Sequence, residues 1–132
     1  MYTSEKAAVN KYNNHKITFE GETFDSKKEF RRWQELRMLE RSGLIQHLRR
    51  QVKYVLIPAQ YETYPRFSDK TGKRLKDGTR LVEKEVSYIA DFVYSHFDGP
   101  TTVEDTKGVR TADYIIKRKL MLWVHGIRII ET

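Results

Sequence analysis

The sequence predicts an α/β fold in which a mixed central β-sheet is flanked by helices. Two segments, at about 84–95 and 101–107, are rich in apolar, aromatic and β-branched residues, which is typical of buried strands. Helical patterns lie on either side of this strand pair, at 25–41 and 111–123. The full predicted order is helix, strand, loop, strand, strand, helix, strand, and this order indicates an α/β sandwich.

The N-terminal part of the chain predicts an arm, a hairpin and the first helix. Residues 1–16 are polar, basic and without periodicity, so we expect a flexible arm. The alternating segment 17–24 predicts a short hairpin or an edge strand. An Asp-Ser pair then begins the 25–41 helix, which closes at a Ser-Gly pair.

The remainder of the chain completes a single predicted domain over 17–132. Residues 52–58 form an apolar run that a proline ends, and they predict a strand. Residues 60–84 contain Lys-Thr-Gly-Lys and Lys-Asp-Gly-Thr turn signals in a strongly basic stretch, which predicts a protruding loop or hairpin. Thr111 is expected to cap the second helix, and 127–130 to form the last strand.

The composition excludes several classes of site and favours an anionic partner. None of the 132 residues is a cysteine, which excludes thiolate zinc sites and cysteine nucleophiles and fits a reducing cytoplasm. The formal net charge of +7 favours a polyanion such as nucleic acid. No apolar run reaches membrane-spanning length, so we expect a cytoplasmic protein without a membrane partner. The four histidines show no metal-ligand spacing and are expected to be surface or packing residues.

Charged residues in the two apolar strand segments are the strongest functional signal. Asp91 stands among apolar and aromatic neighbours, and Asp105 and Lys107 follow in the next strand. Because alternate residues of a strand share a face, Asp105 and Lys107 project together, roughly 6–7 Å apart along the strand. Buried acids and lysines are costly unless they pair or hold a cation. The pattern predicts a divalent-metal site beside an ammonium; the alternatives are a paired strand acid and a lysine that protects a sheet edge.

Two further glutamates compete for a place in this site. Glu104 points to the face opposite Asp105, and only Asp105 shares a face with Lys107, so Asp105 is the favoured ligand. Glu29 lies near the middle of the apolar arc of the first helix, from which it could reach the strand carboxylates. It also completes a Ser-x-x-Glu capping box with Ser26, so helix capping, a water-mediated metal contact, or both are open.

Basic residues in three places are candidate phosphate contacts. A run of three cations lies on the second helix, where the alternative is a solvated helix face. The basic 60–84 segment and the N-terminal arm are expected to follow a nucleic-acid backbone through salt-dependent contacts that do not read sequence. The candidate phosphate-binding residues are Lys117, Lys119, Arg118, Arg110, Lys73 and Arg74.

These residues and their order resemble the PD-(D/E)XK nuclease superfamily. Its core has a helix with a glutamate, strands that carry Asp and then (Asp/Glu)-x-Lys, and a second helix; Glu29, Asp91 and Asp105-Thr106-Lys107 stand in these places. Ala90 stands where the superfamily's name has proline. More narrowly, residues 11–131 resemble small phage-encoded proteins grouped with Holliday-junction-resolvase-like endonucleases. The motifs that carry this likeness are Lys11-Tyr12-Asn13, Phe24-Asp25-Ser26-Lys27-Lys28-Glu29, Ala90-Asp91-Phe92-Val93-Tyr94 and Val103-Glu104-Asp105-Thr106-Lys107-Gly108.

The resemblance implies a restriction-endonuclease-like core and a metal-dependent endodeoxyribonuclease. Glu29, Asp91 and Asp105 would hold one or two Mg²⁺ or Mn²⁺ ions, and Lys107 would orient or stabilise the attacking water. The substrate would be branched or otherwise structured DNA in phage recombination or replication, in the cytoplasm of a bacterial host. Two coordinated cuts at a four-way junction would call for a symmetric homodimer.

Three other functions fit the same residues. The first is a nicking or restriction-like nuclease on duplex DNA, which would cut linear duplex and four-way junction equally. The second is a non-catalytic DNA-binding module in which the carboxylates are structural, and it would bind DNA without metal-dependent cleavage. The third is an interaction protein with no nucleic-acid role, which would show no salt-sensitive DNA binding.

Overall fold

The structure, a computed structural model, describes residues 15–132 and confirms the α/β class with a mixed sheet. Most of the predicted N-terminal arm, including Lys11-Tyr12-Asn13, lies outside the described residues. The elements are β1 (Ile17–Phe19), β2 (Glu22–Phe24), α1 (Lys27–Arg41), β3 (Ile45–Ile57), β4 (Gln60–Phe67), β5 (Arg74–Glu83), β6 (Val86–His96), β7 (Thr101–Asp105), α2 (Ala112–His125) and β8 (Ile130–Glu131). Within this described part, no helix is long and apolar enough to cross a membrane.

The central sheet has four strands in the order β3-β6-β7-β8. β6 pairs antiparallel with β3 on one side and with β7 on the other, and the turn after His96 joins β6 to β7. β8 pairs parallel with β7, which makes the sheet mixed. The hairpins β1-β2 and β4-β5 form two separate two-stranded sheets, so the predicted basic 60–84 hairpin is present as β4-β5.

Capping residues at both ends fix the two helices. The Ser26 hydroxyl accepts a hydrogen bond from the Glu29 amide at 3.1 Å and begins α1, and Gly43, at φ +83°, follows its last turn. The Thr111 hydroxyl accepts from the Tyr114 amide at 3.2 Å and begins α2, which Gly126 ends in a left-handed conformation.

Several strand boundaries differ from the sequence prediction. β7 ends at Asp105 instead of 107, so Lys107 lies just beyond the strand, although its ammonium still contacts Asp105. β3 begins at Ile45, well before the predicted 52, and β8 occupies Ile130–Glu131 instead of 127–130. The early part of β3 is dominated by charged and polar residues and has no apolar run, yet it pairs along its length with β6 and packs against α1. Tertiary pairing therefore sets this strand where local β-propensity does not.

Each face of the sheet carries its own hydrophobic cluster. On the face covered by α2, Met121 and Tyr114 pack with β6 and β7 side chains such as Tyr88 and Val103. On the other face, Leu36 of α1 packs with side chains of β3 and β6. The β1-β2 hairpin closes the N-terminal end of α1 through a third cluster of Ile17, Phe24 and Phe30.

A buried ion pair fastens α1 to β7. The Arg32 guanidinium donates two hydrogen bonds to the Glu104 carboxylate, from Nε at 2.8 Å and from Nη2 at 2.7 Å. Glu104 is only 1% exposed, and it also accepts a hydrogen bond from the Tyr94 hydroxyl. Burial, together with the Glu104 carboxylate, raises the pKa of Tyr94 to about 12. A bidentate pair of this kind fixes geometry as well as charge.

Replacing Arg32 by methionine should lower the free energy of unfolding by about 3 kcal/mol, because Glu104 would remain as a buried carboxylate without its cation. The double substitution Arg32→Met, Glu104→Leu should recover most of this loss, since it removes both charges. Urea denaturation followed by tryptophan fluorescence measures the change. Arg31→Met, on an exposed position of the same helix, is the control and should shift the free energy by less than about 0.5 kcal/mol. Equal losses for Arg31→Met and Arg32→Met would contradict the role of the pair.

Candidate functional site

In the neighbouring strands β6 and β3, the alternation of side chains between the two faces of the sheet is interrupted. The two interruptions lie opposite one another. In β6, Tyr88 and Ala90 pack in the cluster under α2, whereas Phe92 and Tyr94 pack in the cluster under α1. Strict alternation would keep all four side chains on one face. The alternation is therefore broken around Asp91, which lies between the two pairs.

β3 makes the same change opposite Asp91. Leu48 packs under α1, whereas Val52 and Tyr54 pack under α2. Between them, Gln51 has φ +52°, a left-handed conformation that is uncommon for a residue other than glycine. The pairing register is the same before and after this point, so the two strands reverse together and remain paired. Such locally unfavourable backbone is often found at functional sites.

Asp91 and Asp105 meet beside this reversal. The Asp91 carboxylate accepts a hydrogen bond from the Thr106 amide at 2.8 Å. The Asp105 carboxylate accepts one from the Tyr88 hydroxyl at 2.6 Å and is 3.0 Å from the Lys107 ammonium. The two carboxyl groups line the same cleft, and the Asp105 carboxyl contributes to the raised pKa of Asp91. Asp105 and Lys107 thus project together from the end of β7.

Lys107 is held between an acid and an aromatic ring. Its Nζ lies 4.0 Å from the centroid of the Tyr114 ring, which comes from the first turns of α2. A ring face attracts a cation, so Tyr114 and Asp105 together fix the position of the ammonium. The Lys28 ammonium of α1 donates to the backbone carbonyl of Lys107 at 3.0 Å and joins α1 to this loop.

Glu29 reaches the same region from the first turn of α1. Its carboxylate accepts a hydrogen bond from the Asp25 amide at 3.2 Å, one residue before the Ser26 cap, so its capping contact goes to a different amide from the one the capping box predicts. It also pairs with the Arg50 guanidinium at 3.3 Å and accepts from Gln51 Nε2 at 3.3 Å. The same Gln51 nitrogen is 3.5 Å from Asp91 Oδ1, so one amide group lies between Glu29 and Asp91.

Crowding of these acids changes their protonation. Burial, followed by the hydrogen bond to Asp105 and the negative charges of Asp105 and Glu29, raises the pKa of Asp91 to about 8. Burial also raises the pKa of Glu29, although the Asp25 amide and Arg50 oppose this rise. Burial and then the Asp105 carboxylate raise the pKa of the Tyr88 hydroxyl, which stays a hydrogen-bond donor. Burial and the neighbouring acids together thus favour the protonated form of Asp91.

An open cleft of about 390 Å³ gives access to these groups. Its lining residues come from the start of α1, from β6, and from the segment that joins β7 to α2. They are Asp25, Ser26, Lys28, Glu29, Asp91, Asp105, Thr106, Lys107, Gly108, Val109 and Thr111. The sequence-predicted residues Glu29, Asp91, Asp105 and Lys107 therefore share one cleft. Asp91, Asp105 and Lys107 also line a second opening toward Gln51, Tyr114 and Lys117.

Asp91 and Asp105 are the pair that could hold a divalent cation. Among residues 15–132, no group of three or more His, Cys, Asp or Glu side chains is arranged to hold a metal ion. Glu29 is engaged by Arg50 and separated from Asp91 by the Gln51 amide. Two adjacent carboxylates still fit Mg²⁺, which commonly takes one or two protein carboxylates and fills its other positions with water and phosphate oxygens. Glu29 could then act only through an intervening water.

Glu104 faces away from the cleft, toward Arg32, whereas Asp105 faces Lys107.

The candidate phosphate contacts occupy several places. Lys117 lines the second opening, while Arg110 and Arg118 both pair with Glu131, at 2.5 and 3.1 Å. Arg110 and then Arg118 lower the pKa of Glu131. Lys119 is exposed on α2, and Lys73 and Arg74 lie at the far end of the β4-β5 hairpin, where Arg74 pairs with Asp77 at 2.9 Å.

Sequence reasoning missed three residues that shape the site. Gln51 and Arg50 lie in the part of β3 that the sequence did not predict as a strand, and nothing in their neighbours marks them. Arg50 stacks 3.8 Å above the Phe24 ring while it pairs with Glu29. Tyr88 could have been found, because it precedes the predicted Asp91 on the same apolar strand and its hydroxyl can donate to an acid of a neighbouring strand.

The comparisons with known proteins identify one family. Its sequence profile matches residues 9–125, and the family is described as "Protein of unknown function (DUF1064)". None of the curated proteins and none of the solved structures matches the chain.

Asp91→Asn should stabilise the metal-free protein at pH 8 by about 1–3 kcal/mol, at about 1.4 kcal/mol per unit of pKa shift with allowance for the coupling to Asp105. The folded pKa of about 8 exceeds the unfolded value of 3.8, so folded wild-type protein binds the extra proton between these values and its stability falls as pH rises from about 4 to 8. The amide keeps an acceptor for the Thr106 N–H and adds a donor toward Asp105.

Thermal unfolding in EDTA at several pH values measures this effect. Wild type and Asp91→Asn should converge near pH 4 and separate as the pH rises. Asp98→Asn, in the exposed β6-β7 turn at φ +52° where asparagine is well tolerated, is the matched control and should follow wild type. If Asp91→Asn were less stable than wild type at pH 8, Asp91 would be part of a structural ion pair and the acids would not be crowded.

Proposed function

We propose that this chain, which belongs to the DUF1064 family, is a metal-dependent endodeoxyribonuclease that hydrolyses phosphodiester bonds. The observation that carries the proposal is the juxtaposition of Asp91, Asp105 and Lys107 in one open cleft, with the ammonium 3.0 Å from the Asp105 carboxylate. Two adjacent acids and a cation form a site that can accept both a divalent metal and an anionic ester. The likeness of the motif order to PD-(D/E)XK nucleases supports the same conclusion.

The donor set suits Mg²⁺ or Mn²⁺. All the candidate ligands are carboxylate oxygens, which hard divalent cations prefer. Burial and then the neighbouring acids raise the pKa of Asp91, and a bound cation would offset the part that the negative charges contribute. Asp91 and Asp105 would hold the ion, and Glu29 would contribute through water. When bound, the ion would neutralise phosphate charge and lower the pKa of a bound water.

The chain's own residues would position these acids and the substrate. The Tyr88 hydroxyl and the Thr106 amide orient the carboxylates of Asp105 and Asp91. Lys107 is placed to stabilise negative charge on the reacting phosphate, because its carboxylate and ring neighbours both attract a positive charge. We assign it this electrostatic role in preference to proton abstraction. Lys28 and Lys117, at the two openings, would attract the DNA backbone.

The preferred substrate we propose is branched or structured DNA, and the enzyme would then act as a homodimer in the cytoplasm of the phage's bacterial host. This part rests on the likeness to Holliday-junction-resolvase-like endonucleases and on the net charge of +7. A four-way junction is cut at two symmetric positions, which two copies related by a two-fold axis would match.

A cleavage assay with Mg²⁺ or Mn²⁺ on labelled duplex, flap, fork and four-way substrates tests the proposal. Wild type should cut only with metal, and Asp105→Asn should lower the rate by about a thousandfold or more. Lys107→Ala should lower it by about 10²–10³, as expected for the loss of one charge-stabilising group. Asp98→Asn is the control for both variants and should cut like wild type.

Each alternative function gives a different pattern in this assay. Equal cutting of linear duplex and junction would replace the resolvase assignment by a nicking or restriction-like activity. DNA binding without cleavage, with binding and melting unchanged in Asp105→Asn, would make the protein a binding module. Isothermal titration with Mn²⁺ gives an independent readout, because Asp105→Asn should abolish binding of the ion.

A further inference from the structure

The β4-β5 hairpin stands apart from the rest of the fold. It forms a sheet of its own, and the hydrophobic clusters of residues 15–132 include none of its side chains. Gly78 is its only buried residue. A strand of eight residues, Gln60–Phe67, is roughly 26 Å long at 3.3 Å per residue. The hairpin is therefore an arm with both faces largely open to solvent.

The arm contains a cross-strand contact that keeps it rigid. The ring of Tyr64 on β4 lies over Gly78 on β5, and a Cβ at Gly78 would overlap this ring. The Arg80 guanidinium lies 5.0 Å from the Tyr64 centroid and pairs with Glu62. Because a two-stranded ribbon is marginally stable alone, this contact compensates for the missing core.

The outer half of the arm carries free positive charge. Residues 60–84 contain seven Lys and Arg residues against four Asp and Glu. Two of the acids are used inside the arm, in the pairs Glu62–Arg80 and Asp77–Arg74. Within the described residues, the ammonium groups of Lys70, Lys73 and Lys76 have no ion-pair partner. Three lysines without ion-pair partners thus lie around the turn of the arm, against one acid there, Asp69, that is in no ion pair among the described residues.

We propose that the β4-β5 hairpin is a docking arm for duplex DNA, which it contacts through Lys70, Lys73 and Lys76. Charge decides between DNA and a second copy of this chain, because two positively charged arms repel one another whereas the phosphate backbone attracts each of them. Exposed Tyr61 and Phe67 add apolar contact area to the arm. A two-stranded ribbon also fits the major groove of B-form DNA, which is about 12 Å wide.

The arm is continuous with the strands of the cleft. β3, which carries Arg50 and Gln51, leads into β4, and β5 returns directly into β6, which carries Asp91. DNA held by the arm is therefore held by an extension of the two strands that meet at the site. The assignment of this partner rests on the proposed function, since it takes DNA as the substrate. The arm would supply affinity and register, and the cleft would supply chemistry.

The triple substitution Lys70→Gln, Lys73→Gln, Lys76→Gln tests the arm in EDTA, where no cleavage occurs. The probe is a fluorescein-labelled 20-base-pair DNA duplex, and fluorescence anisotropy at several salt concentrations gives Kd. The matched control is Arg31→Gln, Arg41→Gln, Arg128→Gln, which removes three exposed cations elsewhere. The arm variant should bind about tenfold or more weakly at 0.1 M salt, and the slope of log K against log salt should fall by about 2–3. The control should keep at least most of the wild-type slope.

Three outcomes would overturn the proposal. The first is an equal loss of affinity and slope in both variants, which would indicate only general charge. The second is equal binding of wild type to a double-stranded RNA of the same sequence, because the deep, narrow major groove of RNA does not admit a ribbon. The third is a dimer in sedimentation velocity that Tyr61→Ser, Phe67→Ser converts to a monomer without loss of DNA affinity. A different result would reject the nuclease function but support the docking arm. In that case the arm variant would lose DNA binding, and wild type would not cleave DNA with Mg²⁺ or Mn²⁺.

Discussion

The structure depends on keeping three acids, Glu29, Asp91 and Asp105, together at one cleft. Each acid contacts a different group: Arg50 pairs with Glu29, the Thr106 amide donates to Asp91, and a tyrosine and a lysine contact Asp105. These counter-groups come from strands and loops that are distant in sequence. The ion pairs and hydrogen bonds of these acids therefore link α1, β3, β6 and β7. A substitution that changes a charge at the site should alter the free energy of unfolding as well as the chemistry of the site.

Two consecutive acids of β7, Glu104 and Asp105, point to opposite faces of the sheet and have different surroundings. Glu104 points toward α1, where Arg32 neutralises it in a closed, bidentate contact. Asp105 points to the opposite face, where Lys107 leaves the carboxylate open to the cleft. The Glu104 pair can hold the helix because both carboxylate oxygens accept hydrogen bonds from Arg32 and Tyr94, whereas Asp105 lines the open cleft, where a ligand could reach it. The acid that fixes the helix and the acid that lines the cleft are thus adjacent residues.

The sequence predicted the parts of the site that local rules control. Alternation placed Asp105 with Lys107, and the capping pattern placed Glu29 at the first turn of a helix that does end at Arg41. The start of β3 and the role of Gln51 could not be predicted, because they arise from pairing with β6 and from a left-handed residue inside a strand. No sequence pattern predicts the interrupted alternation at Gln51 and Asp91, because it depends on what the two strands pack against on each face of the sheet.

Under the proposed function, the distribution of cations would separate DNA binding from catalysis. Arg110 and Arg118, which lie near the cleft, share Glu131, so they bring less net positive charge to a phosphate than their number suggests. Lys70, Lys73 and Lys76 of the β4-β5 hairpin have no ion-pair partner among the described residues, but they stand on a ribbon outside the hydrophobic clusters. Affinity can therefore change by substitution on the arm without disturbing the packing of the core. The acids of the cleft have no such freedom, because their protonation is coupled to one another and to folding.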